Sequence, residues 1–90
     1  MAIVVKFDVC GMDSSKYDEV IRRLEEMGLG APDGRIHHVC YGDPQDLQVI
    51  DIFENPAKLE AFGAQLGPLL QAVGIEATPT VEQVYNVIAG

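Results

Sequence analysis

The clearest structural signals in this chain lie in the stretch Leu47-Gln48-Val49-Ile50-Asp51-Ile52-Phe53-Glu54-Asn55-Pro56. From Leu47 to Phe53 it is rich in apolar and β-branched side chains, which is typical of a strand. Asn55-Pro56 predicts a helix start, because asparagine can cap free backbone N–H groups and proline at the first helical position sacrifices no hydrogen bond. The stretch therefore predicts a strand that leads directly into a helix.

The segment before this strand predicts its hairpin partner. Arg35 to Tyr41 forms a further predicted strand, and Gly42-Asp43-Pro44-Gln45-Asp46 has the composition of a turn. In antiparallel pairing, residues directly opposite each other share a face of the sheet. Pairing about the turn places Gly42 opposite Leu47, Cys40 opposite Val49, His38 opposite Asp51 and Ile36 opposite Phe53.

The outer parts of the chain supply two helices and two more strands. Apolar residues in the helices recur at three- and four-residue steps, and Gly28 and Gly74 predict their ends. Gly67-Pro68 predicts a kink or a restarted last turn in the second helix. The predicted elements are a strand over 2–9, a helix capped by Asp13 or Ser14, a helix from Pro56, a linker at Thr78-Pro79-Thr80 and a strand over 81–88.

The order βαββαβ predicts one ferredoxin-like α+β domain over residues 1–90, with a four-stranded antiparallel sheet and two helices on one face. If the helices cover Val5, Phe7, Ile50 and Ile52, the other face of the third strand is also apolar. A contiguous apolar patch normally marks an interface, so we expect a homodimer with two sheets packed face to face. The expected interface residues on that strand are Leu47, Val49, Asp51 and Phe53.

Charge and composition exclude several classes of protein. The net charge is −8, from 14 acidic against 6 basic residues, which disfavours nucleic acid and anionic membrane surfaces as partners. The two cysteines, Cys10 and Cys40, lack a metal-binding spacing, so no metal site is expected. Without a basic leader or a long apolar run, the cytoplasm is the predicted location.

Several segments resemble a known superfamily. The stretch 49–56, followed by Leu59-Glu60-Ala61-Phe62, resembles the hairpin-to-helix segment of the dimeric α/β-barrel superfamily, which contains the antibiotic-biosynthesis-type monooxygenases. Val4-Val5-Lys6-Phe7 and Tyr17-Asp18-Glu19-Val20 fit it too, so the resemblance covers nearly the whole chain. It implies a ferredoxin-like dimer, and its members include cofactor-free oxygenases, isomerases and haem-handling enzymes. The monooxygenases typically have tryptophan where Phe53 stands and a histidine in the second helix, where this chain has Phe62 and Gly63.

The predicted pairing creates one candidate catalytic dyad. His38 and Asp51 would lie within hydrogen-bonding reach in the interior of the dimeric barrel, and an imidazole oriented by a buried carboxylate can act as a general base. A self-satisfied structural pair is the alternative. A register slip of one residue would exchange His38 with His37, so the choice between them stays open. The predicted pocket residues around the dyad are Lys6, Asp8, Ile36, Cys40, Val49, Phe53 and Tyr85.

Two functions remain in competition. The first is a cofactor-free oxygenase or isomerase that acts on a small, largely apolar organic molecule, with His38 as base and Asp51 as its orienting partner. The second is a non-catalytic ligand-binding or structural dimer. No cofactor is expected, and His38 is the sole candidate haem ligand. A pocket of about 300 Å³ in contact with His38 would favour the enzyme.

Overall fold

The computed structural model describes residues 1–89 and has the predicted element order. The strands form one antiparallel sheet in the order β2-β3-β1-β4, so the predicted fold class is confirmed. In the described residues no helix has both the length and the apolar character to cross a membrane. The elements are β1 (Ile3–Cys10), α1 (Ser14–Glu26), β2 (Arg35–Asp43), β3 (Asp46–Phe53), α2 (Pro56–Val73) and β4 (Glu76–Gln83).

Both helices begin and end at the predicted signals. Asp13 caps α1 by accepting a hydrogen bond from the backbone N–H of Lys16, and Asn55 caps α2 in the same way from Lys58. Gly74 ends α2 in the left-handed conformation, with φ of 80°. α2 continues through Pro68 as one element, so of the two predicted outcomes, a kink or a restarted last turn, the restart is wrong. Pro68 is exposed, and there the carbonyl freed by the missing N–H can face water.

The last strand begins earlier than predicted. β4 spans Glu76–Gln83 and includes Thr78-Pro79-Thr80, which the sequence assigned to a linker. β4 is an edge strand that pairs only with β1, so the missing N–H of Pro79 can lie on the unpaired side. The strand was predicted to run to residue 88, but residues 84–89 lie outside it. One backbone hydrogen bond continues past its end, from the Val84 N–H to the Ala2 carbonyl.

The helix-covered face of the sheet contains different β3 residues from those predicted. β1 pairs Val5 with Asp51 and Ile3 with Phe53, so these four side chains share one face. Phe53 is fully buried and packs against Phe62 of α2, with ring centroids 6.0 Å apart. The odd-numbered residues Leu47, Val49, Asp51 and Phe53 therefore face the helices, and the assignment of Ile50 and Ile52 to that face is wrong.

A β-bulge at Ile36 changes the register at the start of β2. The predicted pairs His38–Asp51, Cys40–Val49 and Gly42–Leu47 are confirmed, but Phe53 lies opposite Arg35 instead of Ile36. Ile36 is the extra residue and is 48% exposed. Since a bulge inserts one residue, Arg35 and His38 lie on the same face although three positions separate them.

Candidate functional site

His38 and Asp51 form a direct hydrogen bond on the helix-covered face of the sheet. The Nδ1 atom of His38 lies 2.6 Å from an Oδ1 oxygen of Asp51. Asp51 is only 2% exposed, and a buried carboxylate is costly unless it is hydrogen-bonded. A carboxylate can only accept, so the geometry assigns the Nδ1 proton to His38 as donor. The imidazole is thus held in one tautomer with its Nε2 atom pointing away from the carboxylate.

Tyr17 of α1 completes a chain of three hydrogen-bonded side chains. Its hydroxyl oxygen lies 2.8 Å from Nε2 of His38, and the two rings are parallel to within 4°. With Nδ1–H donating to Asp51, Nε2 accepts the hydroxyl proton of Tyr17. The resulting order is Tyr17 O–H to His38 to Asp51, which can move a proton from the phenol oxygen toward the imidazole.

The three side chains lie at the wall of a narrow apolar cavity between the sheet and the two helices. Its volume is about 60 Å³. Tyr17, Arg35, His38 and Asp51 are its polar lining residues. The apolar lining comprises Phe7, Val9, Met12, Val20, Ile21, Leu24, Val49, Phe62, Leu66, Leu70, Ile75 and Ala77.

Burial shifts the acid–base chemistry of two groups in this region. It raises the pKa of Tyr17 above its ordinary value, and the nearby Arg35 charge offsets part of that rise. Burial also raises the pKa of the Cys40 thiol. Both groups are therefore held in their neutral forms at neutral pH, so Tyr17 is a proton donor rather than a phenolate.

The structure separates the predicted site residues into three groups. Val49 lines the cavity with His38 and Asp51. Phe53 is buried beside the cavity, and Cys40 is half-buried opposite Val49. The placements of Lys6, Asp8, Ile36 and Tyr85 in the pocket are wrong.

Each wrong placement has a physical reason. Lys6 pairs with Ile50 and so lies on the face away from the helices, as does Asp8. Ile36 is displaced by the bulge. Tyr85 follows the last strand and is fully exposed. His38 and Asp51 were predicted to face the interior of the dimeric barrel. That placement is also wrong, because the cavity they line lies within one chain.

The ambiguity between the adjacent histidines is resolved. His38 faces the cavity, whereas His37 lies opposite Ile52 on the open face and is exposed. Tyr17 and Arg35 are the polar cavity residues that sequence reasoning missed. Tyr17 shares the cavity-facing side of α1 with Val20 and Leu24, so the three- and four-residue spacing of these positions was the signal that could have found it. Within residues 1–89 no cluster of three or more histidine, cysteine or acidic side chains could hold a metal ion.

Comparison with solved structures identifies the fold. SnoaB, a cofactor-independent oxygenase from Streptomyces nogalater, matches with a TM-score of 0.62 at 14% identity, over 99% of this chain and 96% of that chain. A protein from Deinococcus radiodurans, named as a candidate antibiotic biosynthesis monooxygenase, matches with a TM-score of 0.66 at 11% identity, over 99% and 97% of the two chains. A protein of unknown function from Nitrosomonas europaea matches with a TM-score of 0.58 at 15% identity, over 99% and 94%.

These matches place the chain in a structural class. It has the ferredoxin-like α+β fold of the antibiotic-biosynthesis-monooxygenase-like proteins, as the resemblance implied. No protein-family model and no curated protein sequence matches the chain. At such low identity the likeness establishes the fold alone, and function has to be argued from the site.

Proposed function

We propose that this protein is a cofactor-free enzyme, an oxygenase or an isomerase, that removes a proton from a small, largely apolar organic molecule. The observation that carries the proposal is the hydrogen-bonded chain Tyr17–His38–Asp51 at the wall of an apolar cavity. The neighbour SnoaB is a cofactor-independent oxygenase, and this supports the same class of chemistry. An apolar site with a few convergent polar groups is the usual form of a small-molecule site.

The proton path follows the two observed hydrogen bonds. As the substrate C–H bond breaks, its proton goes to the Tyr17 oxygen while the Tyr17 proton passes to Nε2 of His38. The imidazolium that forms is stabilised by the Asp51 carboxylate, whose Oδ1 lies 2.6 Å from Nδ1. Burial raises the pKa of Tyr17 and so disfavours a free phenolate, which favours a path in which the two protons move together.

The fate of the substrate anion separates the two reaction classes. In an isomerase the anion regains a proton at a different carbon, and no other reactant is consumed. In an oxygenase the electron pair left by the proton forms a carbon–oxygen bond with molecular oxygen, and the resulting peroxide takes up a proton. Loss of the second hydrogen from that carbon and cleavage of the O–O bond then release water and leave one oxygen atom on the substrate as a carbonyl. Both reactions start with the same proton transfer, so the chain Tyr17–His38–Asp51 serves either one.

Hydrogen exchange tests the proposed proton transfer directly. The protein is mixed in D₂O with butanone, cyclohexanone or indanone, and NMR follows the replacement of hydrogens next to the carbonyl. We expect the protein to accelerate exchange and His38→Gln to reduce the acceleration by about 10²–10⁴-fold, the usual contribution of general acid–base catalysis. Oxygen uptake measured in parallel distinguishes the oxygenase from the isomerase.

The chain contains a matched control for this experiment. His37→Gln changes the adjacent histidine, which lies on the opposite face of the same strand, and should leave the exchange rate unchanged. Equal losses in both variants would show that the effect is not specific to the cavity. No acceleration by the unmodified protein with any of the three ketones would contradict the enzymatic proposal.

The cavity volume favours a second candidate function. About 60 Å³ is well below the 300–1,000 Å³ of typical ligand pockets, so a substrate must widen the space between the helices and the sheet. If it does not widen, the hydrogen-bonded chain only satisfies buried polar groups, and the protein is the alternative, a non-catalytic ligand-binding or structural dimer. Thermal stabilisation by the three ketones, ranked by their size, measures how far the cavity opens.

The open face of the sheet supports the homodimer. Val39 is 51% exposed and Tyr41 is 38% exposed, and the even-numbered β3 residues Ile50 and Ile52 lie on the same face, half-buried. A patch of this kind is typical of an interface. In a homodimer these residues would be hidden against a second copy of the sheet.

Self-association can be tested with two valines of similar exposure. Val39→Asp would bury a charge in the proposed interface, and we expect sedimentation to show an at least tenfold weaker dimer, since an unpaired buried charge costs more than about 1.4 kcal/mol. Val81 is 45% exposed and pairs with Val5 on the helix-covered face, so Val81→Asp should leave the dimer intact. A lone subunit at micromolar concentration would contradict the dimer but not the cavity, which lies within one chain.

A further inference from the structure

Arg35 is the polar cavity residue that the proton-transfer chain does not use. We propose that Arg35 binds a carboxylate of the substrate, so that the molecule taken by the cavity is a small apolar acid. This inference rests on the proposed function, since it concerns the same cavity. It adds a substrate class and a specificity-determining residue to it.

The bulge at Ile36 is what brings Arg35 to the cavity. In a regular strand, residues separated by three positions point to opposite faces. The extra residue at Ile36 turns Arg35 to the helix side, opposite Phe53, and Arg35 and His38 both line the cavity. Bulges that re-aim a side chain are frequent next to active sites.

The guanidinium of Arg35 keeps most of its hydrogen-bonding capacity free. One Nη2–H donates to the Gly30 carbonyl at 3.1 Å, and the group lies 5.9 Å from the centre of the Phe62 ring. A guanidinium has five N–H donors. Among residues 1–89 the side-chain ion pairs join Arg22, Arg23, His38 and Lys58 to acidic partners, and Arg35 forms none.

An unpaired guanidinium at an apolar cavity is informative in this chain because acidic residues outnumber basic ones by 14 to 6. The acidic group of the cavity, Asp51, is already bound to His38. A planar guanidinium matches a carboxylate through two parallel hydrogen bonds. The Phe62 ring, whose centre lies 5.9 Å from the Arg35 guanidinium, attracts the positive charge through its π face.

The spacing along β2 favours an anchoring role over a role at the reacting carbon. With the bulge residue left out, Arg35 and His38 are two strand positions apart, which is about 7 Å. A carboxylate held by Arg35 would therefore place a carbon a few bonds away at the Tyr17–His38 end. Arg35 is in this view a binding residue, and Tyr17 and His38 carry the proton.

Benzoate and benzamide test the inference, because they share size and shape and differ in charge. NMR titration of the full chain should show that benzoate binds at least about tenfold more tightly than benzamide. Arg35→Met keeps an apolar stem over Phe62 and removes the charge, so the preference should disappear. Arg35→Lys keeps the charge without the planar fork and should restore part of the preference. Arg22→Met removes an exposed arginine of α1 and should change nothing.

Each other outcome overturns the proposed role of Arg35. Equal affinity for the two probes, absence of binding by both, or a preference that survives in Arg35→Met would contradict it. Butanone carries no carboxylate, so its hydrogen exchange remains an independent test of the proposed function. A further outcome would also contradict the anchoring role: hydrogen exchange of butanone slows in Arg35→Met while benzoate and benzamide bind equally. That result would place Arg35 at the carbonyl oxygen of the ketone instead.

Discussion

The two faces of the sheet have similar apolar character but different partners. The helix-covered face carries Val5, Phe53 and the hydrogen-bonded Asp51, all nearly inaccessible to water. The open face carries Val39 and Tyr41, which are exposed in the single chain. The chain's own helices cover only one of the two apolar faces. That face forms the core and the cavity, and the other face remains open to a partner. The helices therefore set the chemistry of the pair His38–Asp51, because they bury Asp51 and bring the Tyr17 hydroxyl to His38.

The largest expected difference between the faces concerns stability. Phe53→Ala removes a fully buried ring that packs against Phe62 and should lower the free energy of unfolding by about 3–5 kcal/mol. Tyr41→Ala removes an aromatic ring from the open face and should cost less than about 1 kcal/mol. Urea unfolding at two protein concentrations measures both values and reveals any contribution from self-association. Equal losses would contradict the assignment of the faces.

A smaller difference concerns alkaline pH. The folded-state pKa of Tyr17 is raised by burial, so the unfolded chain loses this proton first, and stability falls as the pH rises above the ordinary tyrosine pKa through the folded value. Tyr17→Phe should make that decline shallower, whereas Tyr85→Phe, at a fully exposed tyrosine, should not. Unfolding curves collected across alkaline pH check this. An unchanged decline in Tyr17→Phe would contradict the burial of its hydroxyl.

The smallest expected effect is a difference in thiol reactivity. Cys10 is exposed, whereas Cys40 is half-buried and its thiol pKa is raised by burial. Because the thiolate is the reactive form, iodoacetamide should modify Cys10 about tenfold faster than Cys40. Mass spectrometry of the labelled peptides over time measures both rates. Faster labelling of Cys40 would show that the cavity side of β2 is more open than the structure indicates.

The element order and the hairpin register were predictable from the sequence. Asn55-Pro56 and Gly74 mark the ends of α2 through their backbone preferences alone, and the turn at 43–46 sets the pairing of His38 with Asp51. The assignment of faces between β1 and β3 was not predictable in the same way. Both faces of β3 are apolar, so hydrophobic alternation does not distinguish Asp51 and Phe53 from Ile50 and Ile52.

The site was predictable only in part. The dyad came from pairing within one hairpin, which is a local property of the chain. Tyr17 and Arg35 could not be added in the same way. Tyr17 contacts His38 because α1 packs on the sheet. Arg35 lines the cavity because of the β-bulge at Ile36, a position that the sequence does not mark with a turn-forming residue. Such contacts depend on how separate elements pack.

The order of strands and helices, the helix caps and the pairing of His38 with Asp51 all follow from the amino-acid sequence. These features depend on backbone preferences and on neighbours close along the chain. The face that the helices cover depends instead on how the whole chain packs, and so does the position of the dyad inside one chain beside Tyr17 and Arg35. When both faces of a strand are apolar, helices can cover either face equally well. Which face they cover is then set by the packing of the whole sheet.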